Sequence, residues 1–251
     1  MTKSRLDILL LERGLVESRT QAQRLIMEGK VRVNDQVVLK PAIQVNPDDQ
    51  LSVTENPTFV SRGGEKLQAA LLAFNVQING KICADVGAST GGFTDCLLQN
   101  MAAKVYAIDV GYGVLHWKLR NDPRVISMER INARYVQSLP EPVSFITIDT
   151  SFISLRILLP VVKGWLGLQG GEVVALIKPQ FEAGKAEANR GEGVIRDPLI
   201  HKRVVEMISD FARGEGYFKE GLIESPLKGP KGNLEFLIHL SYPDRIMNLS
   251  K

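Results

Sequence analysis

Cysteine is nearly absent. The 251 residues contain two, Cys83 and Cys96, too few for a disulfide framework, and neither has a second Cys or a His at metal-ligand spacing. They read as reduced thiols of a cytoplasmic protein. Long apolar runs are missing too: the longest, around 157–162 and 173–177, fall well short of the roughly 18 residues that span a bilayer. The apolar stretch near the N-terminus is cut by charge before it reaches the length of a signal-peptide core. Histidine is scarce, with His116, His201 and His239 at no metal spacing. Charge of one sign is lacking as well; 31 Lys+Arg stand against 28 Asp+Glu, a net +3, so any affinity for nucleic acid must come from where the cations sit. The remainder, 44% hydrophobic and 24% charged with 22 Gly and 12 Pro, is ordinary globular composition, long enough for one large domain or a large one with a small companion.

Apolar residues at Leu6, Leu9 and Leu10, and again at Ala22, Leu25 and Ile26, fall at helical spacing. The second helix has a natural N-cap in Ser18 and a left-handed stop in Gly29. From Lys30 the period shortens to alternation: Val31 and Val33 form a strand, Asn34-Asp35 a turn, and Leu51 to Val53 a returning strand. A small α+β unit therefore spans residues 1–56, ending at the turn-forming Glu55-Asn56-Pro57. Between residues 1 and 40 it carries eight basic residues against five acids. Arg5, Arg19, Arg24, Lys30 and Arg32 lie around its helices and turn, a distribution suited to the phosphates of folded RNA, although a solvated helical face would look similar. The strings Arg-Leu-Asp, Ser-Arg-Thr-Gln-Ala and, most specifically, Gly29-Lys30-Val31-Arg32-Val33-Asn34 resemble the S4-type RNA-binding domain.

Residues 57–60 form a linker, and from 61 to 245 short apolar strands alternate with helices. Strands are expected at Ile82–Val86, Lys104–Asp109, Val143–Asp149, Gly171–Ile177 and Asn233–His239, with helices over Phe93–Leu98, Ile153–Val162 and His201–Gly214. This is the pattern of an α/β fold with a mostly parallel, doubly wound sheet. In such a sheet ligands bind beyond the carboxyl ends of the strands, beside the first strand-to-helix turn. Here that turn is Asp85-Val86-Gly87-Ala88-Ser89-Thr90-Gly91-Gly92, and Asp109 follows 22 residues after Gly87, about the interval used to hold a ribose. A dinucleotide fits less well, because Ala88-Ser89 lacks the second glycine and Asp85 would repel a pyrophosphate. An acid suits the amine of S-adenosylmethionine. On that reading Asp85 and Gly87 meet the methionine end, Ser89, Thr90 and Gly91 admit close backbone approach, and Asp109 holds the ribose. Asn132 either hydrogen-bonds the adenine or caps its loop.

Four charges stand inside or at the ends of apolar segments: Lys66, Asp149, Lys178 and Glu235. Such placement is costly unless the charges pair. The turn Asp149-Thr150-Ser151-Phe152 lacks the double proline found beside exocyclic-amine acceptors. The order Lys, Asp, Lys, Glu resembles the FtsJ-like class of ribose 2′-O-methyltransferases. Together with Val60-Ser61-Arg62-Gly63-Gly64-Glu65-Lys66-Leu67, the glycine turn through Asp95, and Ile177-Lys178-Pro179-Gln180-Phe181-Glu182, nearly the whole chain is similar to the TlyA family, labelled both hemolysin and ribosomal RNA 2′-O-methyltransferase.

That resemblance implies a Rossmann-like methyltransferase behind an S4-type domain, S-adenosylmethionine as cofactor, ribosomal RNA or ribosomal subunits as partner, and a cytidine ribose as acceptor. It carries the catalytic quartet onto Lys66, Asp149, Lys178 and Glu235. A ribose hydroxyl is a weak acid and its attack on a sulfonium methyl needs a proton acceptor. Lys178 is the expected base, Lys66 its positioning partner, and the two acids orient them. The glycine-rich segment 183–193, with Lys185 and Arg190, is either a substrate-closing loop or plain surface. Rival readings are a membrane-lytic hemolysin, which no apolar span or amphipathic helix supports; an RNA-binding assembly factor without catalysis; and a pseudouridine synthase, which would need no glycine turn.

Overall fold

The computed structural model describes residues 3–16, 18–53, 58–184, 187 and 191–243. The chain divides into two compact units, residues 1–57 and 58–251.

The small unit is a helical hairpin with short strands. β1 (Ser4–Arg5) pairs antiparallel with β4 (Gln44–Val45), and β2 (Val31–Val33) lies between β3 (Gln36–Val37) and β5 (Leu51–Val53). The hairpin consists of α1 (Leu6–Glu12) and α2 (Arg19–Met27). Ser18 caps α2 as expected, its side chain accepting from Gln21 N at 3.2 Å, and Gly29 has φ +71°, a conformation that costs glycine little. Leu6, Leu10, Ile26 and Val31 close the core.

The large unit is built on a seven-stranded sheet. From one edge it runs β8 (Val125–Met128), β7 (Lys104–Ile108), β6 (Ile82–Val86), β9 (Phe145–Ile148), β10 (Gly171–Ile177), β12 (Phe236–Tyr242) and β11 (Phe218–Glu224). The first five are parallel. β12 is antiparallel to both neighbours, so the strand expected at Asn233–His239 begins three residues later and runs against its neighbour. β6, β9 and β10 are enclosed on both faces, as central parallel strands must be; Phe145, Ile146, Val173 and Val174 are all fully buried.

Helices cover the two faces: α3 (Gly63–Ala73) and α4 (Gly92–Gln99) pack in one core, and α6 (Leu155–Val162) and α8 (Pro198–Gly214) in the other. Two single turns, α5 (Trp117–Arg120) and α7 (Pro179–Glu182), lie near the strand ends. Cys83 and Cys96 are free and buried, and burial pushes both thiols up to about 12. Among the described residues no helix is long and apolar enough to cross a membrane.

Candidate active site

The sheet's register assembles the site. Ile177 opposes Phe236 in the antiparallel pair, so Lys178 and Glu235, one residue further on each strand, emerge side by side. Val86 opposes both Ile148 and Ile108, which brings Gly87 between Asp149 and Asp109. Gly87 must be glycine: its φ is +84°, and a Cβ there would lie 2.4 Å from the Asp149 carbonyl oxygen.

All four quartet residues line one cavity of about 550 Å³, together with Ser61, Arg62, Gly87, Ser89, Thr90, Ser151 and Lys228. They form two ion pairs. Lys66 Nζ donates to Glu235 Oε2 at 2.6 Å, with the carboxylate fully buried and the lysine side chain 12% exposed. Gln180 Nε2 reaches the other oxygen of Glu235 at 3.4 Å. Gly229 folds over that carboxylate so closely that a Cβ would stand 2.0 Å from Oε1. Lys178 Nζ lies 2.5 Å from Asp149 Oδ1 and 3.4 Å from Ser151 Oγ. Charges this enclosed are stable only when paired. Among the described residues Arg62 and Lys228 have no ion-pair partner, so two cations remain uncompensated at the cavity.

A second cavity, about 510 Å³, lies over the ends of β6, β7 and β8 and is lined by Ile108, Asp109, Val110, Ile131, Asn132, Ala133 and Leu158. The two cavities share Gly87, Ser89, Asp149 and Ser151. Asp109 accepts from Ser89 N at 2.8 Å and Gly111 N at 2.7 Å, which fixes its carboxylate in the cavity lining. Asn132 lines the same cavity and caps its loop by accepting from Arg134 N at 3.1 Å. A nucleoside with a carboxylate for its ribose and an apolar slot for its base fits this lining.

Two residues of the cofactor loop stand apart from the cavities. Asp85 lines neither cavity. It is fully buried, and its oxygens accept from Thr94 Oγ1 at 2.7 Å and Thr147 Oγ1 at 3.0 Å, tying β6 to α4 and β9; burial, only partly offset by those hydroxyls, pushes its pKa up to about 6. Gly91 likewise stands back from the cavities. With φ +96° it opens α4, and a Cβ would collide with Leu119 at 2.2 Å. Sequence reasoning missed Ser61, Arg62, Ser151, Gln180 and Lys228; the first four lie inside the motifs already singled out, which was the available signal.

In the small unit the structure gathers two of the named arginines on one acid. Arg5 forks onto Asp7 through Nε and Nη2, both at 3.0 Å, Arg19 Nε adds a third contact at 3.0 Å, and Gln23 a fourth at 2.9 Å. Those hydrogen bonds, Arg5 foremost, hold the buried Asp7 carboxyl well below the usual carboxylate range. Lys30 pairs with Glu28 at 2.8 Å, Arg24 approaches the same acid at 3.9 Å, and Arg32 donates to the Asp35 carbonyl. Lys185 and Arg190 lie outside the described residues.

Fold and cavity together define a Rossmann-like methyltransferase. The FtsJ-like methyltransferase model matches residues 59–242, and the S4 domain model residues 4–51. The chain belongs to the FtsJ-like methyltransferase family, with an S4 domain in front. It is 49% identical to the YqxC protein of Bacillus subtilis over 96% of this chain and 86% of that one. It is 44% identical to the 16S/23S rRNA (cytidine-2′-O)-methyltransferase TlyA of Mycobacterium tuberculosis, covering 95% and 90%. A solved chain from Streptococcus thermophilus, 46% identical, superposes with a TM-score of 0.74 over 97% of this chain and 90% of its own.

Proposed function

We propose that the protein transfers a methyl group from S-adenosylmethionine to the 2′-hydroxyl of a cytidine ribose in ribosomal RNA, in the cytoplasm, with ribosomal subunits as its partner. The observation that carries this reading is the meeting of the two cavities at Gly87, Ser89, Asp149 and Ser151, with both buried ion pairs on the acceptor side. Asp109 and Asn132 would hold the nucleoside part of the cofactor, and the backbone at Gly87 and Ser89 would admit its amino acid end. The bound cofactor supplies an electrophilic methyl on a sulfonium. The chain's own residues do the rest. Lys66, fixed by Glu235, orients the ribose hydroxyl; Lys178, passing a proton to Asp149 beside it, accepts the hydroxyl proton as the O–H bond breaks, which leaves the oxygen free to take the methyl that the cofactor would supply.

An RNA substrate is supported by the surroundings. Arg62 and Lys228, which have no ion-pair partner among the described residues, bring positive charge to the cavity, as a phosphodiester requires. Around the second cavity Phe152 is 89% exposed and Tyr135 72% exposed, while Arg130 and Arg134 stack on Tyr112 and Tyr135 at 4.1 and 5.5 Å. Exposed aromatic and arginine planes are what unstacked bases bind. The relatives' names differ on substrate: the Mycobacterium tuberculosis protein is named for 16S and 23S rRNA, a Campylobacter jejuni one, 35% identical, for 23S alone. The test is to give the protein methyl-labelled cofactor with unmodified small and large subunits separately, then digest the RNA to nucleosides. Labelled 2′-O-methylcytidine is expected; label confined to methylated bases would refute the reading.

A further inference from the structure

One buried carboxylate has no part in this mechanism. Glu182 is 6% exposed and ends α7, four residues after Lys178. Its oxygens are both used across the fold: Oε2 accepts from Ser154 Oγ at 2.6 Å and Oε1 from Leu155 N at 2.7 Å. Those donors open α6, at the far end of the loop that begins with Asp149. The helix does not need this acid as a cap, since Ser154 Oγ already accepts from Arg156 N at 3.1 Å. A buried carboxyl is an expensive way to duplicate a serine.

The loop itself explains the expense. Phe152 has φ +66°, a strained conformation for a bulky residue that persists only where the surroundings enforce it. The residue is largely in solvent, and its ring contact is with Phe181, at 4.7 Å between centroids. Phe181 and Glu182 both belong to the short segment that starts at Lys178. That segment therefore grips the loop at its aromatic rim and at its base, and the Lys178–Asp149 pair joins the same loop and segment where each begins.

We infer that Glu182 is a positioning residue of the methyl transfer: by joining the loop after β9 to the segment after β10, it sets the approach of Asp149 to Lys178. This rests on the role given above to that ion pair. The mechanism places no group of Glu182 on substrate or cofactor.

A double-mutant cycle in methyl transfer tests it. Glu182→Ala is expected to lower kcat about 10- to 100-fold, the scale of a displacement near 1 Å, with KM for cofactor and RNA changing about twofold or less. Glu182→Gln, whose amide can still accept from Leu155 N and donate to Ser154, should recover to within about threefold. With Asp149→Ala already in place, Glu182→Ala should cost about twofold at most, because the pair it serves is gone. Equal multiplicative losses in both backgrounds would overturn the proposal, since a merely structural role is additive. If Glu182→Ala does not fold, Ser154→Ala removes one leg of the grip and enters the same cycle, where loss of kcat only in the presence of Asp149 is expected. A crystal structure of Glu182→Ala supplies an arm independent of activity. Separation of Lys178 Nζ from Asp149 Oδ1 beyond about 4 Å, the limit of an ion pair, is expected, and an unchanged contact would overturn the proposal. Should the unsubstituted protein methylate no RNA while that separation opens, the functional reading falls and the positioning by Glu182 stands.

Discussion

The two units use the same chemistry, arginine or lysine on carboxylate, to opposite ends. In the small unit the acid is buried and the cations are not. Asp7 is fully enclosed, while the Arg5 and Arg19 side chains are 35% and 51% exposed, so the anchor spends part of each guanidinium and leaves the remaining N–H groups to solvent. In the large unit both partners withdraw: Lys66 and Lys178 are 12% and 10% exposed beside Glu235 and Asp149. The first arrangement presents charge over a surface, where contacts are many, weak and screened by salt. The second confines it to one cavity, where position decides the outcome.

The largest consequence concerns the enclosed pairs. Lys178→Ala is expected to cut methyl transfer about a thousandfold, the range of a general base, while cofactor binding measured by calorimetry stays within a few-fold. Glu235→Gln leaves the Lys66 ammonium enclosed without a counter-charge, and breaking a buried pair in this way costs about 3 kcal/mol or more; the large unit should melt earlier and lose activity roughly a hundredfold. If either substitution behaved like a surface change, the contrast between the units would dissolve.

How far the sequence foretold this site depends on what each residue answers to. The quartet, Gly87, Asp109 and the cap and stop of α2 were readable because their reasons are local or lie in motif order: a charge at a strand end, a left-handed glycine, a serine before a helical period. The hydrogen bonds of Asp85 were not readable, since only the folded sheet shows Thr94 and Thr147 converging on it. The reversal of β12 was equally hidden. Its apolar pattern reads alike in either direction, and β11, with exposed Lys219 and Glu220 among its residues, shows little alternation by which to find the edge. The strain at Phe152 is a backbone property that no pattern of residue types announces.

Asp85 gives the next effect in size and a pH signature. Its carboxyl holds a proton more tightly folded, near 6, than unfolded, near 4. The folded state thus gains from protonation below the unfolded value, and that gain is lost as pH rises through about 6, at most about 3 kcal/mol. Urea unfolding of Asp85→Asn should show this decline removed between pH 4 and 6; an identical slope in both proteins would mean the carboxyl is not desolvated.

The smallest effects belong to the exposed cations. Arg24→Ala and Arg32→Ala, at exposed residues that hold no buried acid, should each weaken binding of ribosomal RNA roughly 3- to 10-fold and flatten its salt dependence by about one counter-ion, with kcat at saturating RNA unchanged. A loss of kcat without a loss of affinity would place these arginines in the reaction itself and erase the division of labour.

The central claim is that the acceptor atom is a ribose oxygen beside Lys178. Alkaline hydrolysis of the methyl-labelled RNA tests it most directly, because cleavage needs a free 2′-hydroxyl. The account predicts that the label is recovered in alkali-resistant dinucleotides and vanishes with Lys178→Ala; label released in mononucleotides, at any level of Lys178 dependence, would contradict it.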